Sequence, residues 1–198
     1  MNIVGIGGRN RSGKDTLAEL FMDAGYFGVS FGDITREFSR KRHADKPDPI
    51  SVANMTETSN WLRNERGPAA ILEIALDRYN QAIKKGGTFV GLVLFSIRAP
   101  VEVDFILEHG GDMIWVQTSD KTRYERSLAA KREGEPDITF EQMLNQEQLQ
   151  EKPQPGLPAE VQMNIPYVQD HATIILENEG SDRDAFIEDA RHLIETLK

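Results

Sequence analysis

The residues best suited to carry chemistry lie near the start of the chain, where positions 8–16 read GRNRSGKDT. This stretch fits the phosphate-binding pattern G-x-x-x-x-G-K-[ST], except that Asp15 stands where Ser or Thr usually follows the lysine. Glycines allow backbone N–H groups to converge on one point, and the start of a following helix attracts an anion to it. Lys14 adds a mobile positive charge. The stretch therefore predicts a loop that binds nucleotide phosphates through Gly8, Arg11, Ser12, Gly13, Lys14, Asp15 and Thr16.

The segments on either side of this loop have the sequence patterns of a strand before it and a helix after it, as a phosphate-binding loop requires. Residues 2–7 form a short apolar run, which predicts a buried strand. Residues 15–22 have helical spacing, which places Leu17, Leu20 and Phe21 on one face. A strand, a glycine turn and a helix in this order favour phosphate binding over the alternative, a glycine-rich turn that binds nothing.

Composition and charge limit the function classes. The chain has 198 residues, a net charge of −9, 39% hydrophobic residues and no cysteine. The length suits a single domain over positions 1–198, and the negative charge argues against nucleic acid as a partner. The absence of cysteine excludes disulfides and Cys–Zn sites. Because the sequence shows neither a leader pattern nor a membrane-length apolar run, we expect a cytoplasmic protein that binds no membrane. As partners we expect a small-molecule nucleotide substrate, and as assembly a monomer or homodimer.

The rest of the chain alternates between strand and helix patterns. Further strands are predicted at residues 29–31, 88–95, 113–116 and 173–176. After the first helix, further helices are predicted at residues 34–42, 56–66, 68–85, 99–109, 120–132, 139–152 and 182–197. Strands that alternate with helices indicate a parallel sheet covered on both sides, which is an α/β fold.

Several segments resemble known nucleotide kinases. The sequence Gly-Lys-Asp-Thr after Arg-Ser resembles the loop of phage deoxynucleoside monophosphate kinases. The segment FGDITR at 31–36 is similar to the Gly-Asp-x-x-Arg segment of adenylate-kinase-like enzymes and to the Asp-bearing segment of dephospho-coenzyme A kinases. The order of the other matching pieces most resembles an uncharacterised archaeal family of nucleotide-kinase-like proteins. Those pieces are Leu62-Arg63, Ile97-Arg98 with Glu102, Lys121-Thr122-Arg123 with Arg126, and residues 178–181.

This resemblance implies a P-loop NTPase fold with three α/β/α layers. We expect its five parallel strands in the order 2-3-1-4-5. The resemblance also implies ATP as the phosphoryl donor and Mg²⁺ as its metal ion. The helices of about 42–85 would then bind the acceptor, and residues of about 123–138 would form a short lid over the phosphates.

The candidate acceptor residues include two that follow the second and third strands, where ligands bind in open α/β sheets. In dephospho-coenzyme A kinases an Asp at the position of Asp33 takes the proton of the acceptor hydroxyl; the alternative is that Asp33 only caps the next helix. The resemblance makes Arg36 a ligand of the acceptor phosphate. Arg98 directly follows a buried strand and is expected to hold phosphate through two parallel hydrogen bonds. Arg63 is a further candidate, and its alternative is a surface arginine.

Two more candidates lie in the second half of the chain. In the related kinases Arg126, together with Arg123, would belong to the lid and stabilise charge during transfer; the alternative is an ordinary charged helix surface. Asn178 follows the last predicted strand, where kinases of this fold hold the donor base with backbone groups. We therefore predict Lys14, Asp33 and Arg126 as catalytic residues and Asn178 as a further cofactor ligand.

Two pairs of residues depart from the pattern of the related kinases. Phe95 and Ser96 stand where relatives carry Asp-Gly, and that Asp usually orders the magnesium shell. Gln146 and Glu147 stand where relatives carry an Arg-Asp pair. Because magnesium prefers oxygen ligands, we expect Asp15 to supply the missing carboxylate. The alternative is that Asp15 only complements the positive end of its helix, which leaves Thr16 and water to bind the metal.

The sequence therefore predicts a phosphotransferase that moves the γ-phosphoryl group of ATP to a small phosphorylated acceptor. A (deoxy)nucleoside monophosphate is the preferred acceptor class. Two alternatives remain open: dephospho-coenzyme A kinase activity, and a nucleotide-binding regulator that has lost phosphoryl transfer.

Overall fold

A computed structural model describes residues 2–130, 138–151, 155–180 and 182–197. Its strands are β1 (Ile3–Gly7), β2 (Phe27–Ser30), β3 (Leu92–Phe95), β4 (Asp112–Gln117) and β5 (Ile174–Glu177). They form one sheet in the order β2-β3-β1-β4-β5, and every neighbouring pair is parallel. This order confirms the predicted topology.

Helices cover both faces of the sheet. They are α1 (Lys14–Asp23), α2 (Phe31–Arg42), α3 (Val52–Arg66), α4 (Ala70–Lys84), α5 (Pro100–Glu108), α6 (Asp120–Ala129), α7 (Phe140–Glu151), α8 (Ile165–Asp170) and α9 (Arg183–Thr196), with a 3₁₀ turn at Ala159–Val161. On one face of the sheet the buried core includes Leu62, Ile71 and Val103 from α3, α4 and α5. On the other face, α1 and α9 contribute Phe21 and Phe186. The three-layer α/β/α prediction is therefore confirmed.

Glycine in the central strand allows one helix layer to approach closely. A Cβ atom added to Gly5 would lie 2.4 Å from the Cδ1 atom of Ile106 on α5 and 2.8 Å from the sulfur of Met113 on β4. A side chain at this position would therefore require the side chains of Ile106 and Met113 to shift.

The register of the strands determines which residues flank the glycine-rich loop. Ile6 of β1 lies opposite Phe95 of β3, and Gly7 lies opposite Trp115 of β4. The loop that begins after β1 is consequently bordered by the residues that follow β3 on one side and β4 on the other. These are the positions where parallel α/β sheets bind ligands.

The third strand is shorter than its apolar run predicts. It begins at Leu92 rather than at residue 88, and Leu92 pairs with Ile3, the first residue of β1. Before this point the Val90 N–H donates to the carbonyl of Gly25, which precedes β2, and among the described residues no strand pairing with β1 continues. Phe89 instead packs against Phe27, with ring centroids 4.9 Å apart.

The interpretation of Asp33 as a helix cap is wrong. The helix α2 begins at Phe31, and the hydroxyl of Ser30 accepts a hydrogen bond from the Asp33 N–H at 3.1 Å. Ser30 is therefore the cap, and Asp33 lies in the first turn of the helix.

Two other boundaries differ from the sequence pattern. The helix α3 begins at Val52, four residues earlier than predicted, because the hydroxyl of Ser51 caps it at the N–H of Asn54. The helix α8 was not predicted, since six residues are too few to give a clear helical periodicity. Within the described ranges, no helix is long and apolar enough to cross a bilayer.

Candidate functional site

The glycine-rich loop has the backbone geometry that its sequence predicts. Gly13 adopts a left-handed conformation with φ of 99°, and α1 begins directly after it without a side-chain cap. A Cβ atom at Gly13 would lie 2.2 Å from the Nδ2 atom of Asn178, so a larger residue does not fit here. Because no side chain caps α1, the N–H groups of its first turn are available to an anion.

Lys14 brings a buried positive charge to this loop. Its side chain is 7% exposed, and its Nζ atom lies 3.7 Å from a carboxylate oxygen of Asp15. Burial lowers the pKa of Lys14, and the positive charges of Arg98 and Arg36 act in the same direction, whereas Asp15 opposes them. A desolvated ammonium group interacts strongly with an arriving anion.

Other predicted nucleotide ligands occupy different parts of the loop. Arg11 is exposed and has a positive φ of 64°, whereas Ser12 is fully buried. The Ser12 hydroxyl has no hydrogen-bond partner among the described residues. Thr16 is partly buried in the first turn of α1. Gly8 approaches Ser12 so closely that a Cβ atom on it would lie 2.5 Å from the Ser12 hydroxyl.

A cavity of about 230 Å³ opens beside the loop. Asn10, Lys14 and Asp15 form its loop side, and Ser96 and Arg98 form the side that follows β3. The helices α2, α3 and α4 close the rest, through Phe31, Gly32, Thr35, Arg36, Val52, Met55, Thr56, Ser59, Arg63 and Ile71, together with Ile50 and Met163. The structure thus places the helices of the predicted acceptor-binding part around a cavity that Lys14 reaches.

Two of the predicted acceptor arginines, Arg36 and Arg98, line this cavity and make few side-chain contacts of their own. Arg36 is exposed and pairs with Asp33, whose side chain is 63% exposed. The Arg98 Nη2 atom donates to the Oδ1 atom of Asn10 at 3.1 Å. Burial lowers the pKa of the Arg98 guanidinium, although Glu102 opposes this effect. Both guanidinium groups remain suited to bind a phosphate in the cavity.

The third predicted arginine is not a surface residue. Arg63 is 2% exposed, and its Nη2 atom donates to Glu102 at 2.7 Å. Its Nε and Nη1 atoms are buried and have no hydrogen-bond partner among the described residues. Glu102 also accepts hydrogen bonds from the backbone N–H groups of Arg98 and Ala99. The surface alternative for Arg63 is therefore wrong, and the residue joins α3 to the start of α5.

Asp33 does not line the cavity. Its carboxylate binds the guanidinium of Arg36 one turn along α2. This arrangement orients Arg36, and the role of Asp33 as a proton acceptor stays a prediction.

Arg126 contacts the carbonyl side of the loop. Its Nη1 atom donates to the carbonyls of Arg11 and Ser12, and its Nη2 atom donates to Asn178 and to the carbonyl of Gly180. Arg126 therefore lies between the loop and the segment after β5, and its catalytic role stays a prediction. Residues 131–137 of the predicted lid lie outside the described residues, and residues 123–129 of it belong to α6.

Asn178 contacts the loop through its side chain rather than through its backbone. Its Nδ2 atom donates to the carbonyl of Ser12 at 2.7 Å, and the side chain is buried. Whether its backbone also holds the donor base stays a prediction.

The metal prediction rests on Asp15. Its carboxylate is 67% exposed at the start of α1, where it is free to reach a metal ion beside the loop. At the end of β3, the side chain of Phe95 offers no oxygen ligand, and Ser96 adopts a positive φ of 64°. In the described part of the chain, no group of three or more His, Cys, Asp or Glu side chains could hold a metal. A site completed by the phosphates of a nucleotide fits this arrangement, because magnesium keeps few protein ligands there.

Sequence reasoning missed an ion-pair network that holds α7 against the loop. Glu147 pairs with Arg123 of α6, to its Nη2 atom at 2.9 Å, and lies 3.6 Å from Arg9 of the loop. Arg9 also pairs with Glu151. These contacts border a second cavity of about 410 Å³ between β4, α7 and α8. Glu147 thus binds protein arginines at a position where related kinases carry the Asp of an Arg-Asp pair.

Thr118 is a second residue that the sequence pattern did not single out. It directly follows β4, is 5% exposed, and donates its hydroxyl to the carbonyl of Ser12 at 3.1 Å. Its position after a buried strand, at the ligand-binding edge of the sheet, is a signal that could have identified it.

Solved structures with this architecture include several of very different sequence. TT1252 from Thermus thermophilus matches with a TM-score of 0.60 and 20% identity, over 100% of this chain and 98% of that chain. Shikimate kinase from Bacteroides thetaiotaomicron matches with a TM-score of 0.52 and 14% identity, over 99% and 98%. Dephospho-CoA kinase from Campylobacter jejuni matches with a TM-score of 0.50 and 15% identity, over 99% and 96%. At these identities the likeness supports the fold.

Sequence relatives give the family. No protein-family model matches the chain. A UPF0200 protein of Pyrobaculum aerophilum is 30% identical over 146 residues, which cover 73% of this chain and 74% of the relative. A UPF0200 protein of Methanococcus maripaludis is 31% identical over 136 residues, which cover 68% and 70%. The loop, the sheet order and this identity over more than two thirds of both chains show that the protein belongs to the UPF0200 family.

Proposed function

We propose that this protein transfers the γ-phosphoryl group of ATP to a small phosphorylated acceptor, with a (deoxy)nucleoside monophosphate as the preferred class. The observation that carries the proposal is the cavity beside the loop. Lys14 and Asp15 line one side of it, and Arg36 and Arg98 line the other. A donor phosphate on the loop and an acceptor phosphate on the arginines would then meet within one cavity.

The loop supplies the donor site. Its uncapped helix start and the buried ammonium of Lys14 fit the phosphates of ATP. Mg²⁺ bound with the nucleotide would neutralise phosphate charge, and Asp15 is the residue placed to hold it. Structures of the same fold include kinases named for small-molecule substrates, which is consistent with phosphoryl transfer.

The acceptor side of the cavity has two chemical characters. Arg36 and Arg98 offer guanidinium groups that suit a phosphate. Val52, Met55 and Ile71 offer apolar surface on α3 and α4. A molecule with a phosphate at one end and a flat, partly apolar base at the other matches both, which supports a nucleoside monophosphate.

One observation favours the second candidate, a nucleotide-binding regulator without transfer. Phe95 stands at the end of β3, where a carboxylate would help to order magnesium. A protein that binds ATP without that carboxylate retains the loop and loses part of the machinery for transfer. Dephospho-coenzyme A kinase activity has weaker support, because the Asp33 carboxylate binds Arg36 and lies outside the cavity lining.

Substitution of the two arginines tests the acceptor site. Arg36→Ala and Arg98→Ala should each raise the KM for the acceptor by roughly tenfold to a hundredfold, because a charged hydrogen bond contributes about 1.5–3 kcal/mol. The KM for ATP should change little. Arg78→Ala is the matched control, since Arg78 pairs with Glu37 and does not line the cavity. An increase in the KM for ATP with an unchanged KM for the acceptor would contradict the assignment of these arginines to the acceptor.

A further inference from the structure

The carbonyl oxygen of Ser12 is surrounded by hydrogen-bond donors from three separate elements. Thr118, after β4, donates its hydroxyl at 3.1 Å. Asn178, after β5, donates its Nδ2 group at 2.7 Å, and Arg126 of α6 donates its Nη1 group at 3.4 Å. We call these three residues the Ser12 support.

The Ser12 support controls the direction of a functional N–H group. In a trans peptide the C=O and the next N–H point in opposite directions. Fixing the Ser12 carbonyl on the side of β4 and β5 therefore turns the Gly13 N–H to the other side. Among the described residues no acceptor is found for the Gly13 N–H, so it is free to bind a phosphate oxygen.

The two neutral members of the support are held firmly. Thr118 is 5% exposed and Asn178 is 6% exposed, so water competes little for their bonds to Ser12. The Oδ1 atom of Asn178 accepts from the Nη2 group of Arg126 at 2.9 Å. Because this bond occupies the oxygen, the amide presents its nitrogen to the loop. Arg126 thus fixes the orientation of Asn178 as well as contacting the loop itself.

We propose that Thr118 and Asn178 are positioning residues that hold the Ser12–Gly13 peptide in the orientation that binds the donor phosphates. The inference rests on the proposed function only for its ligand, a nucleotide polyphosphate. It assigns to Thr118 a role that the glycine-loop motif does not contain, and to the Asn178 side chain a role distinct from contact with the donor base.

A pair of variants at Thr118 separates positioning from packing. Thr118→Val keeps the shape and removes the donor, whereas Thr118→Ser keeps the donor. The measurement is the affinity of the chain for ATP, determined by calorimetry without any acceptor. In Thr118→Val this affinity should weaken roughly threefold to tenfold, because one neutral hydrogen bond is lost. In Thr118→Ser it should change by less than about twofold, because the donor remains. Thr173→Val is the control, because Thr173 lies before β5 and its hydroxyl contacts the Met113 carbonyl rather than the loop. Asn178→Asp, which replaces the donor by an acceptor, should weaken ATP binding further.

The outcomes are distinct. ATP affinity in Thr118→Val equal to that of the wild type would overturn the inference. So would equal weakening in Thr118→Val and Thr118→Ser with a lowered unfolding midpoint, because this would indicate a packing effect. Wild-type protein that binds ATP but transfers no phosphoryl group would contradict the proposed function alone, since the binding test needs no acceptor. Wild-type protein that binds no ATP would overturn both.

Discussion

At the scale of residues, the site depends on Lys14, whose ammonium group is buried in the fold itself. Lys14 loses hydration in the folded protein, and its nearest carboxylate lies 3.7 Å away on the exposed Asp15. This burial lowers its pKa, which means that the folded state disfavours its charge. The same desolvation strengthens its attraction for phosphate. Stability and phosphate binding are therefore opposed at this position.

Replacement of Lys14 by an uncharged residue of similar length tests whether its charge lowers stability while it binds phosphate. Lys14→Met should raise the free energy of unfolding at pH 7 and abolish ATP binding. Between the lowered folded-state pKa and 10.5, the unfolded chain binds more protons, so wild-type stability rises with pH and the advantage of Lys14→Met shrinks. Denaturant unfolding at pH 7 and pH 10 measures both effects, with Lys46→Met as the exposed control. A variant less stable than the wild type at pH 7 would show that the ammonium is well compensated in the fold.

The role of Asp15 can be tested through metal dependence. If its carboxylate holds the magnesium that accompanies ATP, Asp15→Asn should raise the magnesium concentration for half-maximal activity by roughly twofold to fivefold, the effect of a partly exposed charge. Binding of metal-free ATP should hold or tighten, because a negative charge has been removed beside the phosphates. Glu19→Gln, on the exposed surface of the same helix, is the control. An unchanged magnesium titration would assign the metal to other groups.

At the scale of elements, one buried ion pair connects α3, which lines the cavity, to α5. Arg63 on α3 and Glu102 on α5 are 2% and 1% exposed, and Glu102 also receives the N–H groups that begin α5. An unpaired charge in such surroundings is costly, because neither water nor another partner replaces the lost contact. The pair therefore fixes where α3 stands relative to the cavity.

A double-variant cycle measures this connection. Arg63→Met should lower the free energy of unfolding by about 3–5 kcal/mol, because it leaves the Glu102 carboxylate buried without its partner. Adding Glu102→Gln should recover part of that loss, since the amide oxygen still accepts the backbone N–H groups of α5. The comparison is Arg78→Met, which breaks an exposed pair that contributes about 1 kcal/mol or less. If Arg63→Met and Arg78→Met lower the free energy of unfolding equally, the buried pair contributes no more to stability than the exposed pair.

Elements were predictable from the sequence where a local pattern decides them. The apolar runs around Ile114 and Ile175 predicted strands, and the phosphate loop followed from its own glycines and lysine. The start of α2 was missed because residues 29–31 were interpreted as a strand, whereas Phe31 begins the helix and Ser30 caps it. The start of β3 depends on neighbouring strands, since Leu92 pairs with Ile3 of β1 and with Phe27 of β2. A single chain segment carries no information about such partners.

At the scale of the whole molecule, the alternation of strands and helices predicted a parallel sheet, and the resemblance to P-loop kinases predicted its strand order. The partners of the charged side chains required coordinates. The net charge of −9 gave no indication that Lys14, Arg36 and Arg98 would line one cavity. The engagement of Arg63 by Glu102, and of Glu147 by Arg123, depends on contacts across more than 20 residues of sequence. Local periodicity cannot report these distances, so the phosphate site was predictable and its supporting contacts were not.

The cavity that joins the loop to the arginines is the basis of the proposed function, and phosphoryl transfer itself tests it most directly. The 198-residue chain is incubated with ATP, Mg²⁺ and each member of a panel of nucleoside monophosphates, with dephospho-coenzyme A as a further acceptor, and ADP formation is measured. We predict ADP formation that depends on a nucleoside monophosphate, yields the corresponding diphosphate, and is absent in Lys14→Ala. ATP binding by the wild type without acceptor-dependent ADP formation from any member of the panel would contradict the proposal and favour a nucleotide-binding regulator.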